Sequence, residues 1–415
     1  MHVMVLGAGV IGVATAFELL EDGHEVTVVE RQPGAGRETS FANAGLIAPG
    51  HALAWGSPRA PRMMLRSLFR DGQPIRFRPS RDPALWRWSW KFLRQCTTAR
   101  ARANTIRKHA LCRYGQARLQ EVSARTRLSY DSERKGLLYL YRTQESLDRA
   151  SANLEIIREQ GHDLEVIDRE RVAEIDPSLA QSRDKVAGGV FCATDESGDA
   201  HAFTVGLARL CAERGATFRY GTTIGAVERT GERITGILTE AGERLEADAY
   251  VLALGSYSPL IARQIGEELS VYPVKGYSAT VPVDGANAPP TLGGIDEDNH
   301  TAYVRLGDRV RMTSIAEFAG YDLSHTPKDF ERIIGGVREL FPAGGDYDRP
   351  TYWACLRPMT PEGTPVLDRG RCSNLWYNTG HGHMGWTMAC GAARITADLI
   401  KGARPEIPLD GMTLR

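Results

Sequence analysis

Cysteine is sparse in this 415-residue sequence and shows no pattern. The seven cysteines are scattered, and no two have the C-x-x-C spacing of a metal or redox motif. This favours a reducing compartment and argues against a disulfide framework or a zinc site. Apolar runs long enough to span a membrane are also lacking. The first residues contain no basic region, which argues against a signal peptide.

Net charge is absent as well. Lysine plus arginine and aspartate plus glutamate number 51 each, so no overall field favours nucleic acid as a partner. The chain is 42% apolar and long enough to bury a large core, which predicts two interleaved domains. What the sequence does contain is a glycine-rich segment near each of its two ends.

The N-terminal segment "VMVLGAGVIG" predicts a dinucleotide site. Gly7, Gly9 and Gly12 have G-x-G-x-x-G spacing between a buried strand and a helix that ends near residues 22–23. Gly7 allows a tight turn, Gly9 lets the backbone approach a pyrophosphate, and Gly12 lets the helix pack closely on the strand. The next strand, "EVTVVE", ends at Glu30, which is placed to bind ribose hydroxyls. An ordinary glycine-containing turn is the alternative.

The stretch after Glu30 favours FAD over NAD. A nicotinamide enzyme normally continues with another strand and helix, whereas "RQPGAGRETSFANAGLIAPG" is rich in glycine, alanine and small polar residues. Such a segment suits an extended loop lying along an extended cofactor. A mobile surface loop is the alternative, but "FANAGLIAP" is apolar for such a loop. The candidate cofactor contacts are Arg31, Ser40, Asn43, Ala44 and Gly45.

The C-terminal segment "NTGHGHMGWTMACG" predicts a second anion-binding turn. Its glycines lead into "AARITADLI", which has the pattern of an amphipathic helix, and a helix N-terminus attracts negative charge. His381 and His383 raise the alternative of a metal ion. With no third ligand in view, we expect no metal and interpret both histidines as cofactor neighbours or loop residues.

Four segments together resemble one enzyme family: "GAGVIG" with "VVERQPGAGRETSFANAGLIAPG", "VYPVKGYS", "CLRPMTPEGTPV" and "NTGHGHMGWTMACG". Their order is similar to that of the small subunits of bacterial D-amino-acid dehydrogenases. More broadly, it is similar to the flavin-dependent D-amino-acid oxidase, glycine oxidase and sarcosine oxidase superfamily. The resemblance implies an α/β fold in which a Rossmann-like FAD-binding domain is interleaved with an α+β substrate domain containing a mixed or antiparallel sheet.

The same resemblance implies noncovalent FAD held at both glycine-rich segments. The helix beginning near Met384 would point its positive end at the flavin N1–C2=O edge, where charge accumulates on reduction. The cofactor residues that the resemblance adds are Val227, Gly255, Gly380, Gly382, His383, Met384, Gly385, Trp386 and Thr387. Related sarcosine oxidases attach flavin through a cysteine in the neighbourhood of Cys355, but we expect this cysteine to be part of the core.

The expected domains alternate along the chain. The FAD-binding segments are residues 1–50, 195–258 and 350–415, and the substrate segments are 51–194 and 259–349. The runs "GLLYLYR", "VYPVKGYSATVPV", "TAYVRL" and "RVRMTSIAEF" predict a sheet in the substrate domain. Such a sheet would cover the flavin and shape the substrate pocket.

The resemblance implies oxidative deamination of a D-amino acid to a 2-oxo acid and ammonia. Arg357 is the expected carboxylate-binding cation, because a planar guanidinium holds a carboxylate through two hydrogen bonds. An ion pair with a neighbouring acid is the alternative for Arg357. Tyr303, Tyr277 and His51 with Trp55 are further pocket candidates. No catalytic base stands out, and direct hydride transfer from a neutral amine requires none.

One segment is strongly basic. Residues 59–127 contain eighteen cationic side chains and three acidic ones, a net charge of +15, interleaved with methionine, leucine, phenylalanine and tryptophan. This composition is typical of a segment at a membrane surface, although solvated helix faces over a core would look the same. The dehydrogenases that the sequence resembles pass electrons to quinone, and this resemblance favours the membrane interpretation. It implies a dehydrogenase on the cytoplasmic side of the inner membrane that passes electrons to quinone or another non-oxygen acceptor. An oxidase using O2 on D-amino acids, glycine or a secondary amine such as D-proline, and a colourless NAD-binding regulatory protein, are the alternatives.

Overall fold

The computed structural model describes residues 1–67, 75–78 and 80–414. Eight residues of the basic segment, 68–74 and 79, lie outside this range, and they include Leu68, Phe69, Arg70 and Asp71; the side chains of Arg66 and Ser67 lie outside it too. The α-helices of the described residues, α1 to α10, are Val10–Glu21, Ala60–Ser67, Pro83–Gln95, Thr98–Thr126, Gln144–Arg158, Arg169–Ile175, Ala200–Glu213, Ser258–Gln264, Glu331–Leu340 and Gly385–Ile400. None of them is both long enough and apolar enough to cross a membrane.

Twenty strands are found among the same residues. In chain order β1 to β20, they are His2–Leu6, Glu25–Val29, Leu46–Ile47, Ile75–Phe77, Leu137–Tyr141, Glu165–Asp168, Gly188–Cys192, Glu196–Ser197, Thr217–Arg219, Ile224–Thr230, Arg233–Thr239, Arg244–Leu245, Ala249–Leu252, Tyr272–Pro282, Gly293–Asp296, Thr301–Leu306, Arg309–Phe318, Thr351–Met359, Val366–Arg369 and Leu375–Thr379. Short 3-10 turns are Pro49–His51, Pro177–Lys185, Gly255–Tyr257, Pro327–Phe330 and Gly382–Met384.

A six-stranded sheet with the order β19-β20-β13-β1-β2-β9 forms the dinucleotide-binding part. Strand β1 pairs in parallel with β2 and β13, so chain segments about 250 residues apart meet at its centre. Helix α1 packs on β1 because Gly12 has no side chain: a Cβ there would lie 1.9 Å from the carbonyl oxygen of Gly7. The predicted strand–helix–strand unit is therefore confirmed.

A nine-stranded mixed sheet forms the second part. Its order is β18-β14-β17-β16-β15-β5-β7-β6, with β4 pairing with β17. The four runs predicted to make this sheet correspond to β5, β14, β16 and β17. Strand β18, expected in the FAD-binding segment 350–415, pairs antiparallel with β14 over its whole length and belongs to this sheet.

Helix α4 connects the two parts because it crosses α10 at close range. A Cβ on Gly391 of α10 would lie 2.8 Å from the Cα of Gly115 of α4, and a Cβ on Gly115 would lie 2.3 Å from the carbonyl oxygen of Thr387. The two backbones are therefore in contact. This crossing places α4, expected in the substrate domain, directly behind the C-terminal glycine-rich turn.

Candidate active site

A cavity of about 820 Å³ lies between the two large sheets and takes lining residues from both. The predicted site residues that line it are Gly7, Gly9, Glu30, Arg31, Ser40, Asn43, Ala44, His51, Trp55, Gly255, Tyr277, Arg357, Gly382, His383, Met384, Gly385 and Trp386. Residues far apart in the sequence, from both glycine-rich segments and from the L-R-P motif, thus face one space.

The end of the cavity at the N-terminus of α1 carries an acid and an open turn. The carboxylate of Glu30 accepts hydrogen bonds from the backbone N–H groups of Ala8 and Gln32, both at 2.8 Å, and burial raises the pKa of Glu30. Ser40 Oγ accepts a hydrogen bond from the Val10 N–H at 3.0 Å, which fixes the loop after β2 against this turn. A Cβ on Gly9 would lie 3.6 Å from Ser40 Oγ and meets nothing closer.

Five predicted cofactor residues do not line the cavity themselves: Gly12, Gly45, Val227, Gly380 and Thr387. They support it from behind. Gly12 and Gly380 allow close backbone packing, since a Cβ on Gly380 would lie 2.7 Å from Thr360 Cγ2. The Oγ1 of Thr387 accepts a hydrogen bond from the Ala48 N–H at 3.2 Å. The Val227 N–H donates a hydrogen bond to Gln264 Oε1 at 3.0 Å. The residue of this pair that lines the cavity is Gln264.

The opposite end of the cavity is formed by the C-terminal turn. Helix α10 begins at Gly385, one residue after the predicted Met384, and the 3-10 turn 382–384 precedes it. Burial lowers the pKa of His381 to about 3 and that of His383 well below its usual range, so both rings are neutral. The indole of Trp55 stacks on His383 with ring centroids 4.7 Å apart.

Lys108 of α4 reaches this end of the cavity from behind. Its ammonium donates to the Leu53 carbonyl at 3.0 Å and lies 3.2 Å from His383 Nε2. The side chain is 1% exposed, and no carboxylate of the described residues pairs with it. Burial lowers the pKa of Lys108 to about 8. Sequence reasoning missed this role, because Lys108 stands among many cationic residues of one helix.

Arg357 projects into the cavity from β18. Its Nη1 donates to the Ile315 carbonyl at 2.6 Å, and no acidic side chain pairs with it among the described residues. Burial lowers the pKa of this guanidinium. The alternative interpretation, in which Arg357 forms an ion pair with a neighbouring acid, is therefore wrong for the described residues. The guanidinium is fixed by one backbone contact, and its remaining N–H groups are available to a bound anion.

The two predicted tyrosines differ in position. Tyr303 does not line the cavity; it is buried on the other face of the large sheet with its ring 4.8 Å from that of Phe341. The expected substrate contact of Tyr303 is incompatible with this position, because successive strand residues point to opposite faces and Ala302 takes the cavity side. Tyr277 does line the cavity, but its hydroxyl donates to the buried carboxylate of Glu317.

The sequence model for FAD dependent oxidoreductases, the DAO family, matches residues 2–399. The chain belongs to this family. A "D-amino acid dehydrogenase 2" from Mesorhizobium japonicum is 44% identical over 413 residues, covering 99% of both chains. A "D-amino acid dehydrogenase" from Methylobacterium radiotolerans is 45% identical over 414 residues, covering 100% of this chain and 99% of the relative.

Solved structures share the fold at lower identity. Glycine oxidase from Geobacillus kaustophilus superposes with a TM-score of 0.76 at 21% identity and covers 100% of this chain and 98% of its own. L-Proline dehydrogenase from P. horikoshii superposes with a TM-score of 0.75 at 20% identity and covers 100% of this chain and 96% of its own. The fold class predicted from the sequence is confirmed.

FAD is the cofactor of this family, and the cavity residues fit it. The space beside Gly9 and the N-terminus of α1 suits the pyrophosphate, and Glu30 is placed for the ribose. The ring of the flavin needs an apolar space with polar groups at its edge, and the unpartnered Nε2 of buried His381 is one such group. FAD supplies the acceptor for a hydride; the chain supplies binding, orientation and electrostatics.

Cys355 lines the cavity and is half-buried, which differs from the core position that we expected. It stands two residues before Arg357 on β18, so both side chains lie on the same face of the strand. Burial raises the pKa of the Cys355 thiol, which keeps it protonated and weakens it as a nucleophile. The environment thus agrees with noncovalent FAD.

Glu297 is a cavity residue that the sequence analysis missed. It follows β15 in the turn "DEDNH", where a run of acids looks like an exposed turn. Its carboxylate Oε1 lies 2.7 Å from His51 Nε2, and both side chains line the cavity. Only the pairing of β15 with β5 brings this acid opposite His51.

His162, Cys192 and Asp195 form a buried cluster beside the cavity wall, with ligand-type atoms within 4.8 Å of one another. The sequence predicts no metal site. The Asp195 carboxylate already accepts hydrogen bonds from Tyr139 Oη at 2.6 Å and from the Gly50 N–H at 3.2 Å. We assign this cluster the role of fixing the turn that carries His51.

Proposed function

We propose that this protein oxidatively deaminates D-amino acids. The Cα–H would leave as a hydride to FAD, and the resulting imino acid would hydrolyse to a 2-oxo acid and ammonia. The observation that carries the proposal is the Arg357 guanidinium, which faces the FAD cavity and has the Ile315 carbonyl as its hydrogen-bond partner within the part of the chain that the structure describes. A fixed planar cation beside the cofactor suits a substrate carboxylate. The names of the curated relatives support the same substrate class.

Anaerobic bleaching of the flavin tests this proposal directly. Purified protein should be yellow, and D-alanine, D-proline or other D-amino acids should reduce the flavin while their L-enantiomers should not. One mole of 2-oxo acid should form per mole of flavin reduced. A colourless protein would support the alternative of an NAD-binding regulator. A yellow protein that none of the D-amino acids bleaches would contradict the proposed substrate class.

We infer that the electron acceptor is a quinone, because the cavity has an apolar side. Toward α2 and α3 it is lined by Met63, Met64, Ile75, Trp88, Phe92 and Phe318. A quinone ring and its apolar tail suit such a lining better than the polar end near Glu30. The competing proposal is an oxidase that uses O2.

The two acceptors are distinguished by mixing reduced protein with each of them. Stopped-flow reoxidation by a short-chain quinone should be at least tenfold faster than reoxidation by air-saturated buffer. Peroxide formed at the same rate as flavin reoxidation in air would favour the oxidase. The Arg357→Ala variant, reduced by dithionite, is a suitable control because it lacks only the proposed substrate contact.

We also propose that the protein attaches to the cytoplasmic face of a membrane through α2 and α3. Five large apolar side chains on these helices are exposed: Met63 (40%), Leu65 (59%), Trp86 (64%), Trp90 (65%) and Leu93 (42%). Those at positions 86, 90 and 93 lie on one face of α3, while Leu85, Trp88 and Phe92 pack inward. Exposed arginines at positions 59, 62, 81, 87 and 94 surround them. Basic and aromatic residues together suit an anionic lipid surface.

The rest of the basic segment serves the fold. Five of its arginines outside α2 and α3 pair with acids outside the segment, at positions 76, 78, 102, 118 and 125. Helix α4 packs against α10, and its Lys108 is buried. The membrane proposal is therefore narrower than the sequence alone suggested: it concerns α2 and α3, not the whole of residues 59–127.

A further inference from the structure

His51 and Glu297 form a hydrogen-bonded pair that faces the cavity. Their Nε2 and Oε1 atoms are 2.7 Å apart, and both side chains are largely but not completely covered. When Nε2 carries the proton given to Glu297, the other ring nitrogen, Nδ1, is left as an acceptor. No hydrogen-bond partner of Nδ1 is found among the described residues. A histidine oriented by a carboxylate is the arrangement of a general base.

The fold holds this histidine rigidly from the other side. His51 ends the 3-10 turn 49–51, and the turn is fixed by Asp195, whose two carboxylate oxygens both lie 3.2 Å from the Gly50 nitrogen. Tyr139 donates to the same carboxylate and places its ring 5.2 Å from the His51 ring. A Cβ on Gly50 would lie 2.7 Å from Cys192 Sγ, so this turn fits closely into the cluster beneath it.

Glu297 is ionised in this setting. Its burial raises the pKa of the carboxyl, but the charge and hydrogen bond of His51 and the charge of His300 together hold the pKa below its usual value. The other titratable groups near the pair are Tyr139 and Tyr141 of β5 and His383 of the C-terminal turn. Among these groups, Glu297 is the acid that can retain a proton-bearing His51 as an ion pair.

The other cavity histidines lack these properties. His383 shares its Nε2 with the Lys108 ammonium, and His381 Nε2 has no partner. Neither has a carboxylate beside it among the described residues. Burial lowers the pKa of both rings, so each holds a proton poorly and is a weak base. The His51–Glu297 pair is therefore the candidate base of the cavity.

We propose that His51, oriented by Glu297, accepts the proton that the substrate ammonium loses before hydride transfer. This proposal rests on the D-amino-acid deamination proposed above. The substrate N–H bond breaks and an Nδ1–H bond forms, while the electron pair stays on the substrate nitrogen. That pair then forms the C=N bond as the Cα–H leaves as a hydride with both its electrons. The proton on His51 is held by Glu297 until it is released to water.

The test is the pH dependence of anaerobic flavin reduction in four proteins: wild type, His51→Asn, Glu297→Gln and the control His325→Asn. His325 is an exposed histidine that does not line the cavity, so the same substitution there leaves the pair and the site intact. The rate for His51→Asn at neutral pH should fall about a hundredfold. It should recover as pH approaches the pKa of the free substrate amine, because the substrate then arrives deprotonated. Glu297→Gln should show a smaller loss, and the control should match the wild type.

A second measurement separates this role from damage to the site. Propionate has the substrate's carboxylate but no amine, so its Kd, measured from the flavin spectrum, should be unchanged in His51→Asn. If flavin reduction by His51→Asn is slowed equally at every pH, His51 is not the base. The same conclusion follows if this variant has the rate and the pH profile of the wild type. If D-amino acids fail to reduce the wild-type flavin, the proposed function fails instead, which is a different result.

Discussion

A methyl group on Gly276 would lie 2.5 Å from Cζ of Arg357, across the pairing of β14 with β18. The guanidinium therefore lies flat over a residue without a side chain. We expect Gly276→Ala to displace it and to raise KM for a D-amino acid at least tenfold while FAD stays bound. Steady-state kinetics and the flavin absorbance of the purified variant measure the two effects. A variant with wild-type KM would show that Arg357 does not bind substrate in this position.

Removing the guanidinium itself should cost more. We expect Arg357→Ala to remain yellow and to lose two to four decades in kcat/KM, about 3–5 kcal/mol, because the substrate carboxylate loses its charged partner. Arg357→Lys should recover only part of the loss, since an ammonium offers no planar pair of donors. A kcat/KM within threefold of wild type in Arg357→Ala would remove Arg357 from the mechanism.

Gly9 and Gly12 should respond differently to substitution. The Gly9 backbone is extended, with φ −69° and ψ 175°, and its nearest neighbour would lie 3.6 Å from a Cβ, so Gly9→Val should fold. It should lose FAD, because its side chain takes the place of the pyrophosphate. A Cβ on Gly12 would lie 1.9 Å from the Gly7 carbonyl oxygen, so Gly12→Ala should lose stability as well. Circular dichroism measures whether each variant folds, and flavin content measures whether it retains FAD. A folded Gly9→Val variant with a full complement of flavin would show that the pyrophosphate binds elsewhere.

Lys108 should make stability depend on pH. Burial lowers its pKa from 10.5 to about 8, so the protonated amine destabilises the fold by about 3 kcal/mol at pH 7. The unfolded chain binds more protons between these two values. The free energy of unfolding of the wild type should therefore rise with pH, relative to Lys108→Met, from about pH 8 to about pH 10.5. Urea denaturation of the flavin-free wild type and Lys108→Met at pH 7 and pH 10 measures this dependence. A difference in unfolding free energy between the two proteins that is equal at both pH values would refute the prediction.

The proposed membrane surface predicts salt-sensitive binding to anionic vesicles. Trp86→Ser/Trp90→Ser should reduce sedimentation with such vesicles at low salt, because each exposed indole contributes apolar burial at the lipid surface. Each cation adds about 1 kcal/mol at most, so binding should weaken steeply with added salt. The matched control is Val166→Ser/Val205→Ser, which removes apolar side chains 39% and 44% exposed elsewhere on the surface. Wild-type protein that stays in the supernatant at low salt would show that α2 and α3 are only a solvated face.

The sequence alone determined the dinucleotide-binding unit and most of the strands. Gly7, Gly9, Gly12 and Glu30 act within one strand–helix–strand unit, so their spacing along the chain fixes their arrangement in space. The strands of the large sheet were readable because each is a local run of alternating or buried residues. Arg357 was predicted from its motif, and the structure places it at the cavity.

The tertiary structure decided what depends on pairing between distant segments. Tyr303 lies on the face of β16 that points away from the cavity. The pairing of β16 with its neighbouring strands decides which face that is, and this pairing is not readable from one strand alone. Lys108 contacts His383, which lines the cavity, and it does so only because Gly115 and Gly391 let α4 and α10 touch. Glu297 meets His51 across 246 residues of chain through the pairing of β15 with β5. Local patterns record local forces, whereas these contacts arise only when the two sheets close on each other.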